Sequence, residues 1–108
     1  MATDLAQKKC VPCRGGIPPL TPEQIAPLAT AVPRWEVTNL GHLCRIIKTK
    51  NFAQSLALVN RIGAASEEQG HHPEIKLGWG HVDVEYWTHK INGLHESDFI
   101  MAAKVDQI

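Results

Sequence analysis

His71, His72 and Pro73, followed by Trp79, His89 and Asp98, are the residues of this chain whose types and spacing best suit chemistry. Six of the 108 residues are histidine. Imidazole has the unperturbed pKa nearest neutrality, so clustered histidines can both give and take protons. They can also bind a metal ion. Glu67 lies four residues before His71, about one helical turn, where a carboxylate can hold an imidazole in one tautomer. Residue types alone leave three readings open: an acid–base site, a metal site, or a polar loop whose histidines only face solvent.

Spacing argues against metal. Adjacent His71 and His72 point about 100° apart on a helix and to opposite faces of a strand. Zinc ligands are usually separated by two or more residues, although His89 and Glu67 could in principle join one of the two histidines. Acid–base chemistry fits the surroundings better. The pair follows a helix C-terminus, where backbone carbonyls favour positive charge. His89 ends the most strand-like stretch of the chain. A site between that helix end and that strand end can present imidazoles from two directions.

The elements that must position these residues follow from pattern. Residues 1–20 are rich in Gly, Pro and Cys and are expected to be irregular; residues 21–108 form the domain. Thr21 can cap a helix, with Pro22 at its first position and Gln24 reaching back. That helix should end near Ala31, before Pro33. Trp35–Val37 and Leu43–Thr49 read as two strands around a turn at 38–41. Asn51 caps a second helix, with Phe52, Leu56, Val59 and Ile62 as its apolar stripe and Gly70 as its stop. Glu74–Leu77 is a short strand, and Gly78-Trp79-Gly80 turns the chain. Val82–Thr88 alternates strictly, with Val82, Val84, Tyr86 and Thr88 on one face. Asn92-Gly93 turns again, and Glu96–Val105 is a last helix. The order α-β-β-α-β-β-α predicts an α+β fold: one four-stranded antiparallel sheet with helices packed on one face. The other face is expected to be solvated or to meet another subunit.

Composition sets the outer bounds. A hydrophobic fraction of 44% and a charged fraction of 20% are ordinary for a globular chain. Eleven basic and eleven acidic residues cancel, so there is no basic footprint for nucleic acid. No apolar run reaches membrane-spanning length, and the opening MATDLAQKK lacks a signal-peptide core. Three cysteines cannot form a full disulfide framework, and the chain is expected to be cytoplasmic and reduced. Cys10-Val11-Pro12-Cys13 is half a zinc knuckle without a second pair. It reads as an N-terminal turn, with zinc shared with a histidine or across subunits as the alternative. Cys44 is expected to lie buried in a strand.

The spaced residues resemble one family, the pterin-4a-carbinolamine dehydratases. That family's pattern is an acidic residue, three spacers, His-His-Pro, five or six spacers, an aromatic, nine spacers, His, then a more distant Asp. Here Glu67, His71-His72-Pro73, Trp79, His89 and Asp98 fall at those spacings. Thr88-His89, Gly93-Leu94 and Asp98-Phe99 resemble further family steps, and Trp35 looks like a family tryptophan. The likeness runs from about Leu20 to the C-terminus. Three positions depart: Ile75 stands where many members have Trp, Trp79 where Tyr is commoner, and His95 where Ser or Thr caps the last helix. His95 is a weaker cap, so that helix start is expected to fray.

The resemblance implies dehydration of 4a-hydroxytetrahydrobiopterin to quinonoid dihydropterin in tetrahydrobiopterin recycling, with no metal and no organic cofactor. It implies catalytic roles for His71, His72 and His89. His71 and His89 would be the acid–base groups and His72 chiefly a substrate contact. Pro73 and Thr88 would help hold the pterin, Trp35 would either line its pocket or be a buried core tryptophan, and Glu67 and Asp98 would orient the imidazoles. The pocket is expected between the end of the Phe52–Gln69 helix, the Trp79 turn and the end of the Val82–Thr88 strand. The partner is a small pterin, not nucleic acid or membrane, and a homodimer or homotetramer is expected. The alternative is a non-enzymatic binding module, since animal members also act as dimerisation cofactors of a transcription factor.

Overall fold

Alternation along one strand builds the sheet. Val82, Val84 and Tyr86 are fully buried, while His81, Asp83 and Glu85 between them face outward, as a period of two requires. The structure, a computed structural model, describes residues 2–11 and 15–108. Its elements are helix α1 (Ala2–Gln7), α2 (Pro22–Ala31), strands β1 (Glu36–Val37) and β2 (Leu43–Lys48), helix α3 (Phe52–Gln69), strands β3 (Glu74–Gly78) and β4 (His81–Tyr86), a 3-10 turn (His89–Ile91), and helix α4 (Glu96–Asp106). The four strands form one antiparallel sheet in the order β1-β2-β4-β3. The α+β class and the strand count agree with the sequence pattern.

The register fixes two faces. Leu43 pairs with Tyr86, Arg45 and Ile75 both with Val84, and Ile47 and Leu77 both with Val82. These line the face that packs against the helices. Cys44, Ile46, Lys48, Glu74 and Lys76 line the other face with His81, Asp83 and Glu85. Ile46 stays exposed there. Cys44, expected to be buried, is only half-buried because it lies on this outer face. β4 stops at Tyr86, two residues short of the alternating pattern, because its partner β2 begins at Leu43. Thr88 continues only as an isolated bridge to Gly93.

The helices are capped as their sequences specify. Thr21 Oγ1 accepts the Gln24 N–H while Gln24 Oε1 accepts the Thr21 N–H, a reciprocal capping box. Asn51 caps α3, and Gly70 ends it with φ 65°, a left-handed conformation that glycine adopts without a β-carbon clash. His95 does not leave α4 frayed. Its Nδ1 accepts the Ser97 N–H at 3.4 Å, and Asp98 accepts the His95 N–H at 2.9 Å.

Two further expectations change. The N-terminal segment, read as irregular, contains α1. Leu5 and Ala6 bury themselves against α4, Lys104 Nζ donates to the Ala6 carbonyl at 2.6 Å, and Lys8 pairs with Glu96 at 3.0 Å. Six residues cannot hold a helix alone, so docking rather than local propensity makes α1. Covered by α1 and the sheet, α4 is buried almost all round, from Ser97 to Ala103. In α3 the inward residues are Ser55, Ile62 and Ser66, whereas Phe52 and Leu56 stay 50% and 46% exposed. The serines sit where the helix closely approaches the sheet. Ser55 pairs with Thr49 and Ser66 with Tyr86, each at 2.6 Å. The stripe therefore divides: Ile62 is buried and Val59 packs against the core, while Phe52 and Leu56 at its N-terminal end face outward.

Burial pushes the Tyr86 phenol up to about 12, against a smaller downward pull from its Ser66 hydrogen bond. The folded state thus prefers neutral tyrosine, and that preference is fully present below about pH 10, where unfolded tyrosine ionises. It is lost as pH rises from about 10 towards 12, by up to about 3 kcal/mol. Tyr86→Phe is expected to cost about 1 kcal/mol at neutral pH and to flatten that alkaline loss. Urea unfolding of both proteins between pH 7 and 11.5 checks this, and parallel alkaline slopes would contradict it.

Candidate active site

The turn at Gly70 delivers His71. Gly70 and His71 donate their N–H groups to the Glu67 and Ser66 carbonyls, both at 3.1 Å, closing the helix and reversing the chain. The His71 ring comes to lie parallel to Tyr86, with centroids 5.9 Å apart and 6° between planes. Its Nε2 meets Asp98 Oδ1 at 2.6 Å. Asp98 is fully buried. Its other oxygen accepts the Thr88 hydroxyl and the His95 backbone N–H, both at 2.9 Å. A buried carboxylate needs such donors, and its place in the first turn of α4 suits a negative charge.

The arrangement fixes a tautomer. A carboxylate only accepts, so His71 carries its proton on Nε2 and leaves the Nδ1 lone pair open. Such a nitrogen can take a proton from a molecule placed against it. His72 is exposed and pairs through Nε2 with Glu67 Oε1 at 2.6 Å. The adjacent imidazoles are thus turned towards different carboxylates. His89 opens the 3-10 turn immediately after Thr88, so it lies one residue from the hydroxyl that binds Asp98. That loop is closed by the mutual hydrogen bonds of Thr88 and Gly93, at 2.8 and 3.4 Å. A β carbon at Gly93 would collide with the Pro19 ring at 2.6 Å, so glycine is required there.

Several expected placements change. Glu67 was expected to orient His71, but the glycine reversal breaks the helical i,i+4 geometry, and it meets His72 instead while Asp98 takes His71. Thr88 was expected to face substrate, yet its side chain is buried and its hydroxyl is engaged by Asp98. Of the two places expected for Trp35, pocket wall or core, it takes the core. It is 6% exposed, donates from Nε1 to Asp106 at 2.9 Å beside Arg45, and tilts against Tyr86 at 6.0 Å. It supports from behind the ring on which His71 rests. Pro73 is half-buried and directly follows the histidine pair.

Trp79 lies away from this cluster. The Trp79 carbonyl accepts from Ser55 in the first turn of α3, at 3.5 Å, whereas His71 follows the last turn. Eighteen helical residues separate those ends by roughly 27 Å. Trp79 is also 69% exposed. The three walls expected around the pocket therefore do not meet, since the Trp79 turn stands apart from the α3 end and the β4 end. A cavity of about 260 Å³ lies instead on the outer sheet face, lined among others by Cys44, Ile46, Glu74, Asp83 and Glu85. None of the three site histidines lines it.

Cys10 lies within electrostatic reach of Asp98 and Tyr86, whereas Cys44 sits on the outer sheet face. The Cys10 N–H donates to Gln69 at 2.9 Å, and its thiol lies 3.7 Å from the Ser97 carbonyl. Burial pushes the Cys10 thiol up, against a smaller opposing pull from Ser97. Burial pushes Cys44 up as well, helped by the charge of Glu85. Neither is an activated nucleophile. Cys13, the other half of the knuckle, lies outside the described residues. Among the described residues no helix is long and apolar enough to cross a membrane.

Comparison with known proteins assigns this arrangement to a family. A family model described as pterin 4 alpha carbinolamine dehydratase matches residues 18–108. The chain belongs to the pterin-4a-carbinolamine dehydratase family. It is 51% identical to a Rubrobacter xylanophilus protein provisionally named a pterin-4-alpha-carbinolamine dehydratase, over 98% of this chain and 99% of that one. It is equally similar, at 51%, to a Methylococcus capsulatus protein of the same provisional name, over 99% and 95% of the two chains. A crystal structure from Brucella melitensis, described as a transcriptional coactivator/pterin dehydratase, shares the dehydratase fold with a TM-score of 0.78 and 28% identity. That match covers 82% of this chain and 96% of the Brucella chain.

The two carboxylates of this dehydratase-family site differ in weight. Asp98→Ala leaves the Thr88 hydroxyl, the His95 N–H and His71 without their acceptor, and is expected to cost about 3 kcal/mol of stability. The exposed Glu67–His72 pair is worth little. Glu67→Ala is expected to stay within about 0.5 kcal/mol of the parent. Chemical denaturation of both variants tests the contrast, and similar losses in the two would contradict it.

Proposed function

We propose that this chain dehydrates 4a-hydroxytetrahydrobiopterin to quinonoid dihydropterin by histidine acid–base catalysis, within the recycling of tetrahydrobiopterin. The observation that carries the reading is the buried Asp98 holding His71 in one tautomer, with His72 and His89 on the flanking turns. Family membership supplies the reaction class.

The reaction is an elimination across C4a–N5. The C4a–O bond breaks, the N5 proton leaves, and its electron pair forms the C4a=N5 double bond, releasing water. His71 accepts the N5 proton at Nδ1. His89 protonates the departing 4a-hydroxyl oxygen. His72 and Pro73 contact the pterin ring. Glu67 orients His72, and Asp98, with Thr88 behind it, orients His71. The steps need proton transfer alone, which positioned imidazoles supply near neutral pH. Self-association through the exposed Phe52 and Leu56 of α3 accompanies this reading. The same patch would serve a binding module, the alternative that the Brucella melitensis description keeps in view.

His71→Ala and His89→Ala are each expected to slow dehydration by roughly 10²–10⁴-fold, the usual worth of a positioned acid or base. The assay follows freshly generated 4a-hydroxytetrahydropterin, with the uncatalysed rate subtracted. Near-parental rates in both variants would remove the enzymatic assignment and leave the binding module. Activity is also expected to survive exhaustive chelation, because His71 and His72 are turned towards separate carboxylates. A loss on chelation that zinc restores would overturn that part.

A further inference from the structure

His89 is exposed on a short turn, and among the described residues no hydrogen bond holds its ring. An imidazole in that position has several rotamers open to it. A proton carrier must nevertheless sit within hydrogen-bond reach of its target. What holds the ring is therefore a question the mechanism leaves unanswered.

The outer sheet face supplies a candidate. Trp87 follows Tyr86, so its indole emerges on the face opposite the helices, beside Glu85. The His89 ring rests on that indole, with centroids 4.3 Å apart and 39° between planes. The His42 ring stacks on the same indole, at 4.0 Å and 6°. His42 sits one step beyond the Leu43–Tyr86 pair, directly across from Trp87. Its Nδ1 is hydrogen-bonded to Glu85. Its backbone is pinned on both sides: its N–H donates to Thr38 Oγ1 at 3.2 Å, and its carbonyl accepts the Thr38 N–H at 2.8 Å. The contacts thus run from a rigid strand ladder through Glu85 and His42 to Trp87, and end on His89.

We propose that Glu85, His42 and Trp87 form a clamp that fixes the His89 imidazole for proton transfer, and that all three are positioning residues for the dehydration. The proposal rests on the reading of His89 as an acid–base group. A stacked pair of rings leaves the indole little freedom to turn, and His89 then has one flat surface to lie on. Loosening either ring lets His89 leave its reactive orientation without removing any group that carries a proton. Misplacement by about 1 Å can cost on the order of 10²-fold in rate, so a partial loosening should be readily measured.

The test is a set of double-mutant cycles on the full chain. Trp87→Leu and His42→Ala are each expected to lower kcat about tenfold, with KM changed less than about twofold, because orientation rather than binding is disturbed. In a His89→Ala background neither should cause further loss. The His89 Cε1 proton, shifted by the Trp87 ring current in the parent, should move towards the free-histidine position in both variants. His42→Phe keeps a stacked ring and should recover most of the lost rate. Glu85→Ala, which leaves both rings in place, should show a smaller loss of the same kind and serves where His42→Ala does not fold. Equal losses from Trp87→Leu or His42→Ala in the presence and absence of the His89 imidazole would sink the clamp and leave His89 catalytic. Parental activity in His89→Ala would sink the catalytic reading itself, and the clamp with it.

Discussion

The site depends on one buried carboxylate. Asp98 has no exposed surface, and three donors from three stretches of chain converge on it: the His71 ring, the Thr88 hydroxyl and the His95 backbone. The same group caps α4 and sets the tautomer of an imidazole, so the fold and the candidate site share one anion. Burying a charge is costly unless it is fully hydrogen-bonded. The end of α3, the end of β4 and the start of α4 must therefore arrive together before Asp98 is satisfied. That requirement ties the two ends of the candidate site to a single native arrangement.

Tyr86 gives that arrangement its back wall. It is buried in the sheet, hydrogen-bonded to Ser66 of α3, tilted against Trp35 and parallel to His71. Its neighbour Trp87 points the other way and carries His42 and His89. Two consecutive aromatic residues thus serve opposite faces of one strand end, and each bears a histidine. A period of two makes this possible, and a one-residue slip of register would exchange the two sets.

Much of this was legible in the sequence. Alternation at Val82, Val84 and Tyr86 marked the central strand, Thr21 and Asn51 marked helix starts, and Gly70 marked a stop, because each is a local signal with a local cause. The spacing of the histidines and Asp98 picked out residues that the fold brings near one another, His71 against Asp98 and His89 next to Thr88. Partner choice was not legible. Glu67 stood at helical distance from His71, yet the left-handed Gly70 lies between them and redirects the chain. Trp79 satisfied a spacing pattern while occupying the far end of a hairpin. His42 carried no signal, since its place opposite Trp87 follows from strand register across 45 residues. Helix α1 was missed because its stability comes from α4, nearly a hundred residues away. The outward turn of Phe52 and Leu56 was missed because hydrogen-bonded Ser55, rather than these larger apolar residues, takes the inward position at that end of α3.

The docking of α1 on α4 also bears on how the chain is made. Lys104 reaches the Ala6 carbonyl across 98 positions, and Lys8 reaches Glu96 across 88. Synthesis proceeds from the N-terminus at about 5–20 residues per second, so α1 leaves the ribosome several seconds before the helix that covers it. Through that interval Leu5 and Ala6 lack the α4 surface that covers them, and strands β1–β4 lack both the cover of α4 and the Asp98 carboxylate. Long-range closure of this kind comes late in folding. The part of the sheet face that α3 does not cover therefore stays open until α4 arrives, and the pairing of His71 with Asp98 can form only after Asp98 has been made.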